Sequence, residues 1–312
     1  IKLWDFKNRA LIAVLEKHKE IVSAISCSSD GKYLASGSWD EMVHIWDIDK
    51  GKIKITLDIN SGLIGSVAFS PDGKYLATGG SDKNVNLWNA ETGELEDTFE
   101  APDWSVEAIA FTPDSEWLAS GGSSNTISLW DLIEDEELAT LEGHKDSILC
   151  LSFAPCGTIL VSGSKDNTVK LWSIREKGLL TRSIITELVH SFEGHTGSVL
   201  SVCFNYDGSL IASGGKDNMI KLWDVKSCKL LFNLTGHTSP VTSLCFSSDG
   251  TFVISGSKDG TIKIWNLEEK SLISTFIAIN KEGNYEYITY SPDNSYTCSD
   301  GGREFIVFEK IK

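Results

Sequence analysis

Residues 195–234 read HTGSVLSVCFNYDGSLIASGGKDNMIKLWDVKSCKLLFNL. The stretch holds four short apolar runs, SVLSVCF, SLIASGG, MIKLWD and KLLFNL, separated by polar turns. Asn205-Tyr206-Asp207-Gly208 lies between the first two runs, and Asp-Gly in that place signals a hairpin, because glycine accepts a backbone φ above zero. Lys216-Asp217-Asn218 makes a second tight turn. No helical periodicity crosses the stretch, so it reads as four strands. A Gly-His pair, Gly194-His195, opens it, and another, Gly236-His237, follows it.

The unit recurs along the chain. Trp4, Trp46, Trp88, Trp130 and Trp172 are 42 residues apart, a gap of 51 leads to Trp223, and 42 returns at Trp265. Each tryptophan ends the same kind of run: IKLWD, MVHIWD, NVNLWN, TISLWD, TVKLWS, MIKLWD and TIKIWN. A period of this size marks a supersecondary unit that buries its faces only by stacking on copies of itself. Four strands per period predict an all-β propeller, with residues 1–312 as a single domain. The chain opens with a third strand (IKLWD) and a fourth (ALIAVL), six complete units follow, and three strands fall within 285–309. That is one strand more than seven four-stranded antiparallel blades need. The expectation is therefore a seven-bladed ring in which residues 10–15 supply the outer strand of the C-terminal blade and remove the open sheet edge. Residues 1–5 would then be displaced, or would compete with 304–309. The start at Ile1, inside a repeat, suggests an excerpt of a longer protein.

The Gly-His, Ser-Pro-Asp-Gly, Ser-Gly-Ser and Trp-Asp punctuation resembles the WD-repeat β-propeller family over essentially the whole chain. The resemblance implies a buried chain of His, Ser/Thr, Asp and Trp in each blade, which satisfies polar groups that are costly to bury. Four units match fully: His18, Ser36, Asp40, Trp46; His144, Ser162, Asp166, Trp172; His195, Ser213, Asp217, Trp223; and His237, Ser255, Asp259, Trp265. The unit ending at Trp88 keeps Thr78 and Asp82 but has Asn60 for the histidine. The unit ending at Trp130 has Pro102 for the histidine and Ser124 for the aspartate. The last unit lacks the set, with Val307 or Phe308 near the tryptophan place. These three blades are expected to be less rigid. The terminal run YEYITYSPDNSYTCSDGGREFIVF resembles the segment that ends WD-repeat regions ahead of a caspase-like domain in some large bacterial proteins. That resemblance implies a regulatory, sensing or docking part of a multidomain protein.

Composition narrows the function classes. No apolar run is long enough to span a bilayer, and no signal peptide opens the chain. Seven cysteines without CxxC pairs or metal-ligand spacing suit a reducing, cytoplasmic setting. Cys150, Cys203 and Cys245 read as small core residues, and Cys27 stands where other units have Phe. The net charge is −16, yet no Lys or Arg occurs between Lys83 and Lys145, a stretch with fifteen acids; elsewhere 28 basic residues face 29 acidic ones. With no basic stripe, nucleic acid is not an expected partner. No nucleophile elbow, phosphate loop, HExxH or EF-hand pattern is present, so neither catalysis nor a cofactor or metal is expected.

Recognition features remain. Trp39 precedes Asp40 in a turn between second and third strands, where other units have Ser81, Ser123, Lys165, Lys216 or Lys258. Trp104 stands in an entrance loop on the same rim, flanked by Asp103 and Glu107. These four residues are the candidate partner contacts, since aromatic anchors dominate interfaces. Trp117 occupies a place held elsewhere by Tyr33, Tyr75 or Phe252 and is expected in the core. The acids suggest a basic segment as ligand, although Glu134–Glu137 fall on the opposite rim. The nine extra residues before Trp223 fall within IREKGLLTRSIITEL and read as an enlarged loop carrying Arg175, Lys177 and Arg182. The expected function is a non-catalytic scaffold or sensor that binds a protein or peptide on one rim. A purely architectural spacer is the alternative.

Overall fold

The computed structural model describes residues 1–5, 8, 10–59, 62–102, 105–176, 184–281, 284–292 and 296–298. The repeat quoted above forms four antiparallel strands, Val199–Phe204, Leu210–Gly215, Ile220–Asp224 and Lys229–Leu234, side by side in chain order. Six such blades occupy 22–58, 64–100, 106–141, 148–192, 199–234 and 241–281, numbered 1 to 6 in chain order. First strands of successive blades pack on one another, so the blades stack radially. The second and third strands are covered on both faces, which explains their unbroken apolar runs. Ala212, Ile220 and Leu222 have no exposed surface, and each large aliphatic side chain buried this way contributes about 2 kcal/mol. Gly214 sits where the blades meet most closely. A Cβ there would come within 2.7 Å of Val241 in the next blade.

One contact repeats at every blade junction. Leu15, Leu57, Phe99, Leu141, Phe192 and Leu234 end the fourth strands, and each shares a hydrophobic cluster with the tryptophan of the following blade: Trp46, Trp88, Trp130, Trp172, Trp223 and Trp265. Phe276 holds the same place in blade 6, and its ring meets Trp4 edge-on at 5.5 Å. Trp4 lies in Lys2–Asp5, which pairs with Ala10–Val14 as a two-stranded sheet. That pair has a register shift at Leu3/Trp4, just as blade 5 has one at Leu222/Trp223.

Of the expected ring of seven blades, the described residues show six complete blades and one two-stranded sheet. Residues 1–5 are paired rather than displaced, and among the described residues the strand partner of 10–14 is 2–5. Asn284–Tyr290 and Tyr296–Cys298 continue the sheet of blade 6 to six strands. Blades 4, 5 and 6 are entered through Gly143, Gly194 and Gly236, with φ of 156, 148 and 150°. The equivalent place after blade 6 is Ala278, with no histidine following, and Ser271–Lys281 runs straight through it. Residues 304–309, and most of the terminal run, lie outside the described residues.

The cysteine expectation needs correction. None of the described cysteines is bonded to another, but Cys27 and Cys245 are exposed and Cys150 and Cys203 only half-buried. Side chains alternate along a first strand, so part of each faces water; Val22–Cys27 shows the alternation in full. The enlarged loop of blade 4 is corrected too. Its residues lengthen a hairpin, with Val169–Glu176 pairing Ile184–Phe192 out to Glu176 and Ile184. Arg175 belongs to that strand, while Lys177 and Arg182 lie outside the described residues. His190 is half-buried against the Phe192 ring at 4.7 Å.

Candidate functional site

The polar residues picked out of the repeats meet inside the blades. In blade 5, Trp223 Nε1–H donates to Ser213 Oγ at 2.8 Å, Ser213 Oγ lies 2.8 Å from His195 Nε2, and His195 Nδ1 lies 2.8 Å from Asp217. Blade 4 repeats this with Trp172, Ser162, His144 and Asp166 at 2.8, 2.7 and 2.8 Å. Blade 6 does so with Trp265, Ser255, His237 and Asp259 at 2.8, 2.7 and 2.8 Å, and blade 1 with Trp46, Ser36, His18 and Asp40 at 2.8, 2.8 and 3.0 Å. A neutral imidazole with its proton on Nδ1 satisfies all of these contacts, because it donates to the carboxylate and accepts from the hydroxyl. Burial pushes His144 and His237 below the ordinary imidazole range, which favours that neutral form.

Each aspartate also ties the entrance loop to the turn. Asp166 accepts the backbone N–H of Lys145 at 2.9 Å and of Thr168 at 2.9 Å. Burial raises its pKa, but these donors, the Thr168 hydroxyl and His144 together outweigh that and bring it down to about 2. The order Ser, His, Asp is that of a hydrolytic triad. Here Ser36, Ser162, Ser213 and Ser255 have no exposed surface, and each Oγ already accepts an indole N–H. A substrate carbonyl has no route to them.

Among the described residues blades 2 and 3 show the inner link, Trp88 to Thr78 and Trp130 to Ser120, both at 2.9 Å. Asn60 lies outside the described residues. In blade 3 Ser124 bonds the Thr126 hydroxyl at 2.7 Å where the other turns have an aspartate.

The turns between second and third strands present one position six times. The backbone N–H groups of Trp39, Ser81, Ser123, Lys165, Lys216 and Lys258 donate to Ile21, Leu63, Ser105, Ser147, Ser198 and Pro240, each in the entrance segment of its own blade. The backbone is the same and the side chains differ. Trp39 is 45% exposed, and the three lysines are exposed. Trp104 and Asp103 lie outside the described residues. Glu107 is exposed, accepts the Ser105 hydroxyl at 2.9 Å and leans towards Gly65 of the neighbouring blade.

The acids gather elsewhere. Glu134 and Asp135 are exposed on the turn between the third and fourth strands of blade 3 and Glu136 and Glu137 at the start of the fourth strand, with Ile133 and Leu95 also exposed. Desolvation first, then the neighbouring Asp97 carboxyl, raises Asp135 above the usual carboxylate range. Asp131, counted among the acids, is buried and caps the turn through Ile133 N–H at 2.8 Å. Trp117 packs beside the core shared by blades 3 and 4, as expected, but its Nε1 has no hydrogen-bond partner among the described residues.

One position was missed in the sequence. The residue two before the tryptophan is His44, Asn86, Ser128, Lys170, Lys221 and Lys263, and all six are buried. Strand alternation puts it on the tryptophan's face, so the signal was present in KLW and KIW. His44 stacks on His18 at 4.5 Å and bonds Thr56 at 3.0 Å.

Comparison with known proteins agrees with this geometry. The family described as WD domain, G-beta repeat, matches residues 9–47, 51–89, 93–131, 135–173, 186–224 and 228–266. The small ribosomal subunit protein RACK1z of Arabidopsis thaliana is 48% identical over 48 residues, 15% of each chain. Eukaryotic translation initiation factor 3 subunit I of Phaeosphaeria nodorum is 42% identical over 45 residues, 14% of each chain. MST50-interacting protein 11 of Pyricularia oryzae is 51% identical over 41 residues, 13% of each chain. The matched segment thus spans about a seventh of these curated relatives. Six repeats matched in tandem, each ending just past the tryptophan of a four-stranded blade, make this chain a member of the WD-repeat β-propeller family.

Proposed function

We propose that the chain is a non-catalytic interaction scaffold that binds a protein or peptide on the rim bearing Trp39. The observation that carries this reading is the sixfold turn position, where one backbone geometry displays Trp, Ser, Ser, Lys, Lys and Lys. The internal hydrogen-bond chains hold the frame, so the rim is where side chains vary without cost to it. Relatives named as ribosomal and initiation-factor subunits belong to large assemblies, which fits a scaffold role for this chain in a cytoplasmic setting. The acidic turn of blade 3, with exposed Ile133 and Leu95 beside it, supports a second reading, a docking place for a basic segment on the opposite rim.

The ring itself is proposed to close through a seventh blade position held by the N-terminal pair. The Trp4–Phe276 contact and the register shift at Trp4, both repeating the blade pattern, support this. The single-domain reading of 1–312 rests on the same ring. The test is cross-linking from host lysate with the wild type, Trp39→Ala and a Glu134→Lys/Glu136→Lys variant of equal melting temperature. Loss of one partner with Trp39→Ala supports the first rim; loss only with the charge reversal moves the site to blade 3. An unchanged set of partners in all three defeats both.

A further inference from the structure

Blades 4, 5 and 6 each bury a lysine that makes no ion pair among the described residues, although the side chains of Asp166, Asp217 and Asp259 are buried in the same blades. Lys170, Lys221 and Lys263 are 7, 5 and 6% exposed. Each ammonium has one hydrogen-bond partner, and each partner is neutral: Ser191 at 2.9 Å, Asn233 at 3.1 Å and Thr275 at 3.1 Å. An ammonium has three N–H donors and is seldom buried unpaired. Two donors of Lys170 are therefore unspent.

In blade 4 the lysine lines a cavity. Its partner, Ser191, is the smallest of the three, and the cavity, of about 420 Å³, opens there, lined by Lys145, Asn167, Thr168, Lys170, Ser191 and Glu193 among others. Lys145 and Glu193 are exposed and form its mouth. Asp166 also borders it, but its oxygens are occupied by Thr168 N–H and O–H on one side and by Lys145 N–H and His144 on the other. The unspent hydrogen-bonding capacity at depth is thus donor capacity. The formal charges of Lys145, Lys170, Asp166 and Glu193 cancel, so the site suits one negative charge rather than two. A chain of net charge −16 also repels a polyanion.

We infer that this cavity is a carboxylate-binding site, in which Lys170 and Ser191 receive the side-chain carboxylate of an Asp or Glu from a partner protein. Only the source of the carboxylate rests on the scaffold reading; the site itself does not.

The experiment is an amide NMR titration of the whole chain with acetate, at ionic strength held constant with chloride. Saturable shifts are expected at Lys145, Thr168, Ser191 and Gly194, with half-saturation at about 10 mM, as suits so small a ligand. Lys170→Met should weaken binding by about tenfold or more, the scale of a lost ionic hydrogen bond. Lys263→Met, equally buried but two blades away in blade 6, should bind as wild type does. If Lys170→Met does not fold, Ser191→Ala keeps the test, with an expected loss of about threefold. Linear shifts up to about 100 mM, or equal binding by wild type and the Lys170 or Ser191 variant, overturn the site. Inorganic phosphate bound more tightly than acetate at pH 8 overturns the single-charge assignment. No partner is needed, so the result stands apart from the Trp39 experiment.

Discussion

Blades 3 and 4 are neighbours with the same four strands and the same register, yet their polar interiors differ. Blade 4 links Trp172, Ser162, His144 and Asp166 and ties an entrance loop to a turn. Among the described residues blade 3 has Trp130 to Ser120, and a lighter tie from entrance segment to turn, Ser105 N–H to Ser123 Oγ at 3.1 Å. The sheet therefore does not need the histidine and aspartate to form; apolar packing and the strand ladder suffice. What the pair adds is a clamp between two loops on one rim, and three of the four clamped blades carry the buried lysine beside it.

The comparison can be broken most directly at the clamp. Asp217→Ala leaves His195 Nδ1 and the Thr196 N–H without their acceptor and should cost about 3 kcal/mol in denaturant unfolding, whereas Ser124→Ala in blade 3 should cost well under about 1 kcal/mol. The hydroxyl link sharpens it. Ser213→Ala orphans two nitrogens and should cost about 2 kcal/mol, while Ser120→Ala orphans one and should cost about 1 kcal/mol. Equal losses would mean that the histidine adds nothing to the hydroxyl.

Acid should separate the two blade types further. His144 and His237 sit below the ordinary imidazole value when folded. The unfolded chain then binds more protons, and their contribution is lost as pH falls below about 6.5. Asp166, held down to about 2 by its donors against the pull of burial, contributes above about 4 and loses that as pH falls towards about 2. Asp135 is shifted the other way, so its protonation relieves rather than strains the folded state. Hydrogen exchange across an acid titration should therefore show blades 4 and 6 loosening before blade 3. A small effect is expected at Trp117→Phe. It removes a buried N–H that has no partner among the described residues, which offsets part of the packing lost with the smaller phenyl ring, so the cost should stay below about 1 kcal/mol.

Much of this was readable in advance, for physical reasons. The tryptophan spacing exposes the blades because each indole must reach a hydroxyl ten residues earlier on the paired strand. The four polar sets were readable because buried polar groups need partners and only these residue types serve. Two things were hidden. Lys170, Lys221 and Lys263 look like ordinary surface lysines until strand alternation places them on the tryptophan's face. The path after blade 6 was hidden as well: Ser271–Lys281 continues straight into a pairing with Asn284–Tyr290, which strand counting does not see.

The Trp4–Phe276 pair has a mechanical consequence. Every other junction joins residues 31 apart in the chain, as Phe192 and Trp223 are, whereas this one joins residues 272 apart. Tension applied along residues 1–5 from the N-terminal side would load this aromatic latch before any of the six blades. The other six junctions, spanned by continuous chain, would not yet bear that load.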